Sequence, residues 1–386
     1  MQQRISIVIP CLNEVETIGT VIKKIVARAI PGLEIIVADN GSTDGTLDLL
    51  SSLPVVVVKV NHKGYGAALM GGIKAAQGKY IVMGDADDSY ALEEYESFIE
   101  PLENGYDFVI GNRFIGKIES GAMPLLHKYL GNPVLSFLGR KMFRLQIGDF
   151  HCGIRAFRKS SIQRLGLKTF GMEFATEMIA KAALFDMKIA EIPTTLRRDG
   201  RSRPPHLRTW RDGWRHLKFM LAYSPTWLLL YPGLLLILSG CALITIDTFY
   251  EISIFGNPVG VMGLIASILS IIVGLLLLVS ASLFQVLVFR NLKSVNLRTI
   301  SQIHHILSLP ITKYISLSAQ IAVTVWFGIL IQSWINGELT TLGEIQRIKF
   351  GLLFLIVTSM NFLYFVYSFL VYFLDKELLH DQNTNE

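Results

Sequence analysis

Asp85 and Asp87 flank a single alanine, Ala86, immediately after the β-rich run Tyr80 to Met83. Two carboxylates one residue apart at a strand terminus suit a hard divalent cation that keeps some waters and takes its other ligands from a diphosphate. Mg2+ or Mn2+ fits that donor set and zinc does not. An isolated acid pair is more often a solvated turn, so the weight here comes from the strand that precedes it. Two more acids hold similar places: Glu14 follows the run Ile5 to Ile9, and Asp39 follows Glu34 to Ala38. Asp39 heads the turn Asp39-Asn40-Gly41-Ser42-Thr43-Asp44-Gly45-Thr46, in which Asp44 or Ser42 can cap the next helix. A carboxylate at that point can also accept a hydrogen bond from the ring N–H of uracil or guanine. Lys63-Gly64-Tyr65-Gly66-Ala67-Ala68-Leu69 follows a strand and opens a helix, but it departs from the dinucleotide fingerprint at Leu69, where the third glycine would stand.

The elements that must position these residues are short. Ile5 to Ile9, Glu34 to Ala38, Val55 to Val60, Tyr80 to Met83 and Phe108 to Ile110 read as strands, with helical segments at Glu16 to Arg28, Thr46 to Leu53 and Ala67 to Gln77. Alternation of this kind predicts a mostly parallel sheet flanked by helices, with ligands at the carboxyl ends of the strands. The whole chain is more apolar than a cytosolic enzyme of its length: 386 residues, 51% hydrophobic, 17% charged, mean hydropathy +0.44. That excludes a disordered or purely cytosolic protein. Cys11, Cys152 and Cys241 are odd in number and far apart, which argues against a disulfide framework and for a reducing compartment.

From Trp227 onward four apolar stretches, near 227 to 246, 259 to 289, 314 to 335 and 350 to 373, reach the roughly 20 residues that cross a bilayer as a helix. Their loops differ in charge: Asp247 to Pro258 has no Lys or Arg and Asn336 to Lys349 has two, whereas Arg290 to Lys313 has four and the approach to the first span has eight. The expectation is an integral protein of the cell (inner) membrane, with its N-terminal domain and C-terminus cytoplasmic. The expected division is a domain over 1–205, a juxtamembrane amphipathic segment over 206–226, a transmembrane domain of about four helices over 227–375 and a tail over 376–386. In the juxtamembrane segment Arg208, Arg211, Arg215 and Lys218 recur at helical spacing, with Trp210, Trp214, Leu217 and Leu221 one stripe over. This pattern suits a helix lying in the lipid headgroups. Leu125 to Phe143 is unusually apolar and could be a second membrane-facing helix, with core packing favoured and Asn132-Pro133 at its start. The basic excess is local to the membrane approach, so no nucleic-acid partner is expected.

Ile7-Val8-Ile9-Pro10-Cys11-Leu12-Asn13-Glu14, Val37-Ala38-Asp39 with its turn, and Gly84-Asp85-Ala86-Asp87 resemble glycosyltransferase family 2. Gly111-Asn112-Arg113-Phe114, Asp149-Phe150-His151-Cys152-Gly153-Ile154-Arg155-Ala156-Phe157 and Gly171-Met172-Glu173-Phe174-Ala175-Thr176-Glu177-Met178 resemble its dolichol-phosphate mannose synthase-like branch, the polyprenyl-phosphate glycosyltransferases. The resemblance spans about residues 5 to 220. It implies an α/β GT-A domain, Rossmann-like and nucleotide-sugar-binding, here followed by an all-α four-helix transmembrane domain. It further implies a UDP- or GDP-linked sugar donor, a divalent metal and inversion at the anomeric carbon. By the same resemblance Pro10, Glu14, Asp39, Asn40 and Lys63 are expected at the donor, and Asp85, Ala86 and Asp87 at its diphosphate. Asp85, Asp87 and Ser89 are the expected metal ligands, Ser89 standing where relatives often carry Gln. Asn40 stands where a second Asp is common.

The expected acceptor is a polyprenyl phosphate of the undecaprenyl or dolichyl type. A phosphate monoester is already largely ionised at neutral pH, so its oxygen can attack without a strong base, and the site needs cations more than bases. Arg113, Arg155, Arg197, Arg198, Arg201 and Arg203 are candidates, because guanidinium matches phosphate bidentately. Arg198-Asp199-Gly200-Arg201-Ser202-Arg203 resembles the Gly-x-Ser-Lys element at the family's acceptor phosphate, which assigns Arg198, Arg201, Ser202 and Arg203 there with Arg113. Asp87, Arg113 and Asp149 are expected to be catalytic. Glu173 and Glu177 lie one helical turn apart, with an ion pair to Lys181 as their plainer role. Two rival functions are a processive polysaccharide synthase, whose Gln-x-x-Arg-Trp motif does not occur here, and a non-catalytic nucleotide-sugar-binding scaffold. Homo-oligomerisation is left open.

Overall fold

A computed structural model describes residues 5–202, 209–249, 253–254, 257–258, 260–289, 310–336, 354–364 and 367. The chain divides into two compact units, Met1–Tyr223 and Ser224–Glu386.

In the first unit, β1 (Ile5–Cys11), β2 (Leu33–Asp39) and β4 (Tyr80–Met83) are almost wholly buried. Continuous apolar runs of this sort belong to parallel strands covered on both faces. Each fully buried Ile, such as Ile7 or Ile9, contributes roughly 1.5–3 kcal/mol by leaving water. β3 (Val56–Lys59), β5 (Phe108–Ile118), β6 (Arg155–Arg158) and β7 (Ile189–Leu196) complete a seven-stranded sheet in the order β3-β2-β1-β4-β6-β5-β7. Only β6 runs antiparallel to its neighbours, so the sheet is mostly parallel as expected. Helix α1 (Ile18–Ala27) buries Ile18, Val21, Ile22 and Ile25 at helical spacing. α2 (Thr46–Ser51) and α3 (Tyr65–Ala75) follow β2 and β3, and α3 packs on β1 and β2. α4 (Glu96–Glu103) packs on β5 and β6, and the short α6 (Lys159–Arg164) follows β6.

The Gly64 and Gly66 pair is a packing seat. Gly64 has φ 135°, and a Cβ there would lie 2.1 Å from the Phe170 carbonyl oxygen. The segment 168–170 that covers it is held by Glu177 of α7 (Phe174–Leu184), which accepts the Lys168 and Thr169 amides and pairs with Lys181 at 2.7 Å. The ion pair expected for Glu177 is present, and it is buried.

Two helical faces differ from a simple core pattern. α5 (Asn132–Phe143), entered through a wide turn at His127–Gly131, buries only Ser136, Gly139 and Phe143. Leu126, Tyr129, Leu130, Val134 and Phe137 are exposed, Tyr129 at 70%. Core packing, the favoured expectation for this segment, holds for one face, where Phe143 is buried and Leu135 and Met142 pack against the core, while a second apolar row faces outward. α8 (Thr209–Ala222) packs on α5 and α7 through Asp212, His216 and Met220, one turn apart. The His216 ring and the Thr176 hydroxyl are 2.6 Å apart. Trp210 and Trp214 stay 79% and 57% exposed, with Arg211, Arg215 and Lys218 also exposed.

The second unit is helical. Thr226–Ile246, Gly263–Phe284 and Tyr314–Ser333 are long and apolar enough to cross a membrane. α9 (Tyr231–Phe249) and α10 (Gly260–Phe289) pack closely where Gly233 meets Gly274. The helix Pro310–Ile335 is joined to the helix Phe354–Tyr364 by hydrogen bonds, Asn361 Nδ2 donating to Gln320 Oε1 at 2.8 Å. Small residues and amides are the usual means of helix association in lipid. Of the expected fourth span, 350–373, only this helix and Tyr367 lie among the described residues.

Candidate active site

The parallel strands β1, β2 and β4 end at one edge of the sheet, and the acids sit in the turns just beyond them. Cys11 pairs with Asp39 across β1 and β2. Glu14 is buried, its amide donates to Thr46 Oγ1 at 3.0 Å, and its Oε2 accepts the Thr17 hydroxyl at 3.2 Å. Asp39 is buried and accepts the Gly41 and Ser42 amides at 2.9 and 3.2 Å, the turn that its position after the strand predicts. Asp44 accepts the Thr46 amide at the head of α2 at 3.0 Å, and Ser42 Oγ accepts the Asn13 amide.

Asn40 donates to the Val60 and His62 carbonyls and accepts the Gly64 amide, so both amide protons are engaged within the chain. Lys63 Nζ donates to the Asn40 carbonyl at 2.7 Å. These two expected donor residues lie beside Asp39, and Asn40 ties its turn to the loop that follows β3. Pro10 is buried in β1 opposite Ala38.

After β4, Asp85 Oδ1 accepts the Tyr65 hydroxyl at 3.0 Å. Burial, and then the neighbouring Asp87 charge, push the Asp85 carboxyl up to about 6. Ala86 is buried between the two acids. Asp87 Oδ1 accepts both the amide and the hydroxyl of Ser89, at 3.1 and 2.5 Å, so Ser89 orients Asp87. Asp88 takes a left-handed backbone, φ 63°, and is held by Lys24.

The opposite side of the site comes from a bulge. β5 pairs with β7 up to Asn112–Pro193 and again from Lys117–Thr195, so Arg113 to Gly116 leave the ladder. Asn112 Oδ1 holds the bulge by accepting the Phe114 and Ile115 amides. Arg113 then meets Asp149 in a bidentate pair, Nε to Oδ2 at 2.6 Å and Nη2 to Oδ1 at 2.8 Å, and its Nη1 lies 3.5 Å from the Tyr90 hydroxyl. Tyr90 also accepts the Gly153 amide at 3.0 Å. A Cβ at Gly153 would lie 2.7 Å from Asp85 Oδ2, so only glycine lets this segment approach the acid pair.

Several expected residues find partners within the chain. Asp149 has no exposed surface and both its oxygens are paired with Arg113, so it positions that guanidinium. Arg155 is wholly buried and donates to the carbonyls of Cys152, Phe150 and Ala175, so it supports the 150–153 loop and is not free to meet an acceptor. The described residues of the basic stretch after β7 pair with other groups of the first unit. Arg197 pairs with Glu93, and Arg198 donates to the Ser120 carbonyl. Arg201 reaches Glu14 at 3.1 Å and also bonds Asp87, and Ser202 bonds Glu16. Arg203 lies outside the described residues. Tyr65 and Tyr90 were missed by sequence reasoning; their one signal is position, Tyr90 directly after the Asp85–Ser89 turn and Tyr65 between two glycines.

The model of glycosyl transferase family 2 matches residues 6–166, from β1 through both halves of this site. An uncharacterized protein of Methanocaldococcus jannaschii is 32% identical over 199 residues, covering 50% of this chain and 81% of the relative. The chain belongs to glycosyl transferase family 2. Among family 2 relatives, the low-salt glycan biosynthesis hexosyltransferase Agl6 of Haloferax volcanii is 36% identical over 235 residues, 59% of this chain and 56% of its own length. The chain thus spans little more than half of that relative. A dolichyl-phosphate hexose transferase from the same organism is 28% identical over 193 residues, 50% of this chain and 82% of the relative. The mixed sheet with acids at its carboxyl edge is the GT-A arrangement of family 2. Glu14, Asp39, Asp85, Asp87, Arg113 and Asp149 all fall inside the matched span, whereas Arg201 and the apolar helices fall after it.

Proposed function

We propose that this family 2 member is a membrane-bound inverting glycosyltransferase that moves a hexose from a UDP- or GDP-sugar to a polyprenyl phosphate on the cytoplasmic face. The observation that carries the reading is the meeting of two opposite chemistries. Arg113 Nη1 lies 3.5 Å from the Tyr90 hydroxyl, which accepts the amide of Gly153, the residue that packs against Asp85 of the acid pair. Names of relatives that act on dolichyl phosphate support the acceptor class.

Hard oxygen donors on Asp85, Asp87 and Ser89 fit Mg2+ or Mn2+, and the Arg201 guanidinium already lies where a cation is stabilised. When bound, the ion would neutralise charge on the leaving diphosphate. The chain's own residues do the rest. Glu14 and Asp39 flank the place for the nucleoside. Arg113, kept in one geometry by Asp149, offers its remaining N–H groups to the acceptor phosphate and lowers the cost of bringing two anions together. The acceptor oxygen needs no base, since a phosphate monoester with a second pKa of about 6 is largely ionised at neutral pH.

The lipid tail stays in the bilayer in this reading. Exposed Trp210 and Trp214 with their flanking cations suit headgroups, and the outward apolar row of α5 with Lys128 and Lys141 beside Tyr129 and Phe137 suits the same boundary. The cationic second loop orients the spans.

A donor screen tests the function. Labelled UDP-glucose, UDP-galactose, UDP-GlcNAc and GDP-mannose are supplied with polyprenyl phosphate, with and without chelator. One donor is expected to put chelator-sensitive label into the organic extract. Label in aqueous polymer would favour a processive synthase, and nucleotide-sugar binding with no turnover would favour a scaffold.

A further inference from the structure

We propose that Arg201 is a built-in cation: it occupies the acidic pocket while substrates are absent and must leave Asp87 before a divalent cation can bind there, so that donor binding precedes acceptor binding. The inference rests on the reading of Asp85 and Asp87 as a cation site. Arg201 bonds Asp87 through Nη2 and Glu14 Oε1 through Nη1 at 3.1 Å, and its Nε lies 3.4 Å from Asp199 Oδ2. Its side chain is only 11% exposed, and Nε makes no hydrogen bond. One guanidinium therefore bridges acids from the β1 and β4 turns, the two that a metal–diphosphate would have to bring together.

The backbone beneath it is pinned. The Arg197 amide donates to the Ser89 carbonyl at 2.8 Å and the Gly200 amide to the Asp87 carbonyl at 3.0 Å. The strap thus stays over the site while the side chain exchanges partners. A divalent cation on Asp87 Oδ2 and the Arg201 guanidinium would repel each other across one oxygen, so the two compete for it. Once displaced from Asp87, the guanidinium remains tethered at the site beside Glu14 and Asp199, with its Nη2 freed. A phosphate anion is its natural next partner. The same arginine can then return to Asp87 and compete with the spent metal–diphosphate.

The first test measures Mn2+ binding by electron paramagnetic resonance on the full chain in detergent, without nucleotide. Arg201→Gln is expected to bind Mn2+ about tenfold more tightly than wild type, because the site no longer spends most of its time occupied. Equal or weaker binding overturns the proposal. If that variant fails to fold, labelling of the wild-type protein with phenylglyoxal decides: Mn2+ should raise the fraction of Arg201 released from Asp87 and so speed its modification about tenfold, and an unchanged rate overturns the proposal. Should wild type and variant both fail to bind Mn2+ even with UDP or GDP, the cation-site reading itself falls and takes this inference with it. If wild type binds Mn2+ while neither expected change appears, only the role of Arg201 falls.

Discussion

The acidic and basic halves of the site are built by different rules. Asp39 ends a parallel strand, and Glu14, Asp85 and Asp87 sit in the turns directly after parallel strands, each within four residues of a strand end. Arg113 comes from a bulge in β5 whose geometry depends on pairing with β7, some eighty residues later in the chain. The first half is thus a local construction and the second a long-range one. Sensitivity to substitution should follow that division: changes in the acidic half remove chemistry, and changes in the basic half also disturb packing.

The largest effect is expected from Asp87→Ala. Sugar transfer should fall by roughly a thousandfold or more, equivalent to ~4 kcal/mol of transition-state stabilisation, with Mn2+ binding lost and the thermal midpoint little changed. Assay of labelled lipid beside calorimetry checks both parts. Asp149→Ala should behave differently. It strands the buried Arg113 charge and should destabilise the first unit by about 3–5 kcal/mol, seen as a lower midpoint in denaturant. Arg113→Ala should lower kcat/KM for the lipid phosphate by roughly a hundredfold and leave nucleoside diphosphate affinity unchanged. If Asp149→Ala left stability intact, the contrast between the two halves would break.

What could be seen in the sequence follows the same division. The apolar runs of β1, β2 and β4 and the acids behind them are local patterns, and β4 is bounded as expected at Tyr80–Met83. β6 and β7 are less apolar and were not anticipated, because their place depends on partners rather than on their own periodicity. The arginines show the limit most clearly. Arg113, Arg155 and Arg201 look alike in sequence, yet one faces the site from a bulge, one is wholly buried under loop carbonyls, and one lies across the acids. Residue type predicts an anion partner for all three; only the fold decides which of them has one. α5 was legible only in part: its apolar side chains suggested a core helix, and Leu135, Met142 and Phe143 do pack inward, but Val134 and Phe137 face outward.

A smaller effect sharpens the link between α8 and the basic half. Burial first, then the facing His216 and the Arg113 and Arg155 charges, hold the His151 pKa well below 6.5, and burial lowers His216 as well, although Asp212 and Glu173 oppose that shift. The unfolded chain protonates both rings near 6.5 and so binds more protons than the folded one below that pH. The stability these groups contribute is complete above the unfolded value and is lost as pH falls from 6.5 toward the folded values. The thermal midpoint should drop between about pH 7.5 and 5.5, and His216→Gln should flatten part of that drop.

The smallest effect belongs to the exposed indoles. Replacing Trp210 and Trp214 together with Ala should reduce transfer in anionic vesicles a few-fold, with no change in detergent, since each contributes only modestly to headgroup affinity. A loss of equal size in detergent would assign them to the fold instead.

The central claim, that one pocket holds an acid-bound cation and diphosphate on one side and an acceptor guanidinium on the other, is tested most directly by locating Mn2+. Anomalous scattering or a cryo-EM map of the full chain with Mn2+ and UDP or GDP should place the ion against Asp87, the diphosphate beside it, and Arg113 facing the open side of the same cavity. An ion or diphosphate bound elsewhere, with Asp85 and Asp87 left paired only to the chain's own side chains, would contradict the account.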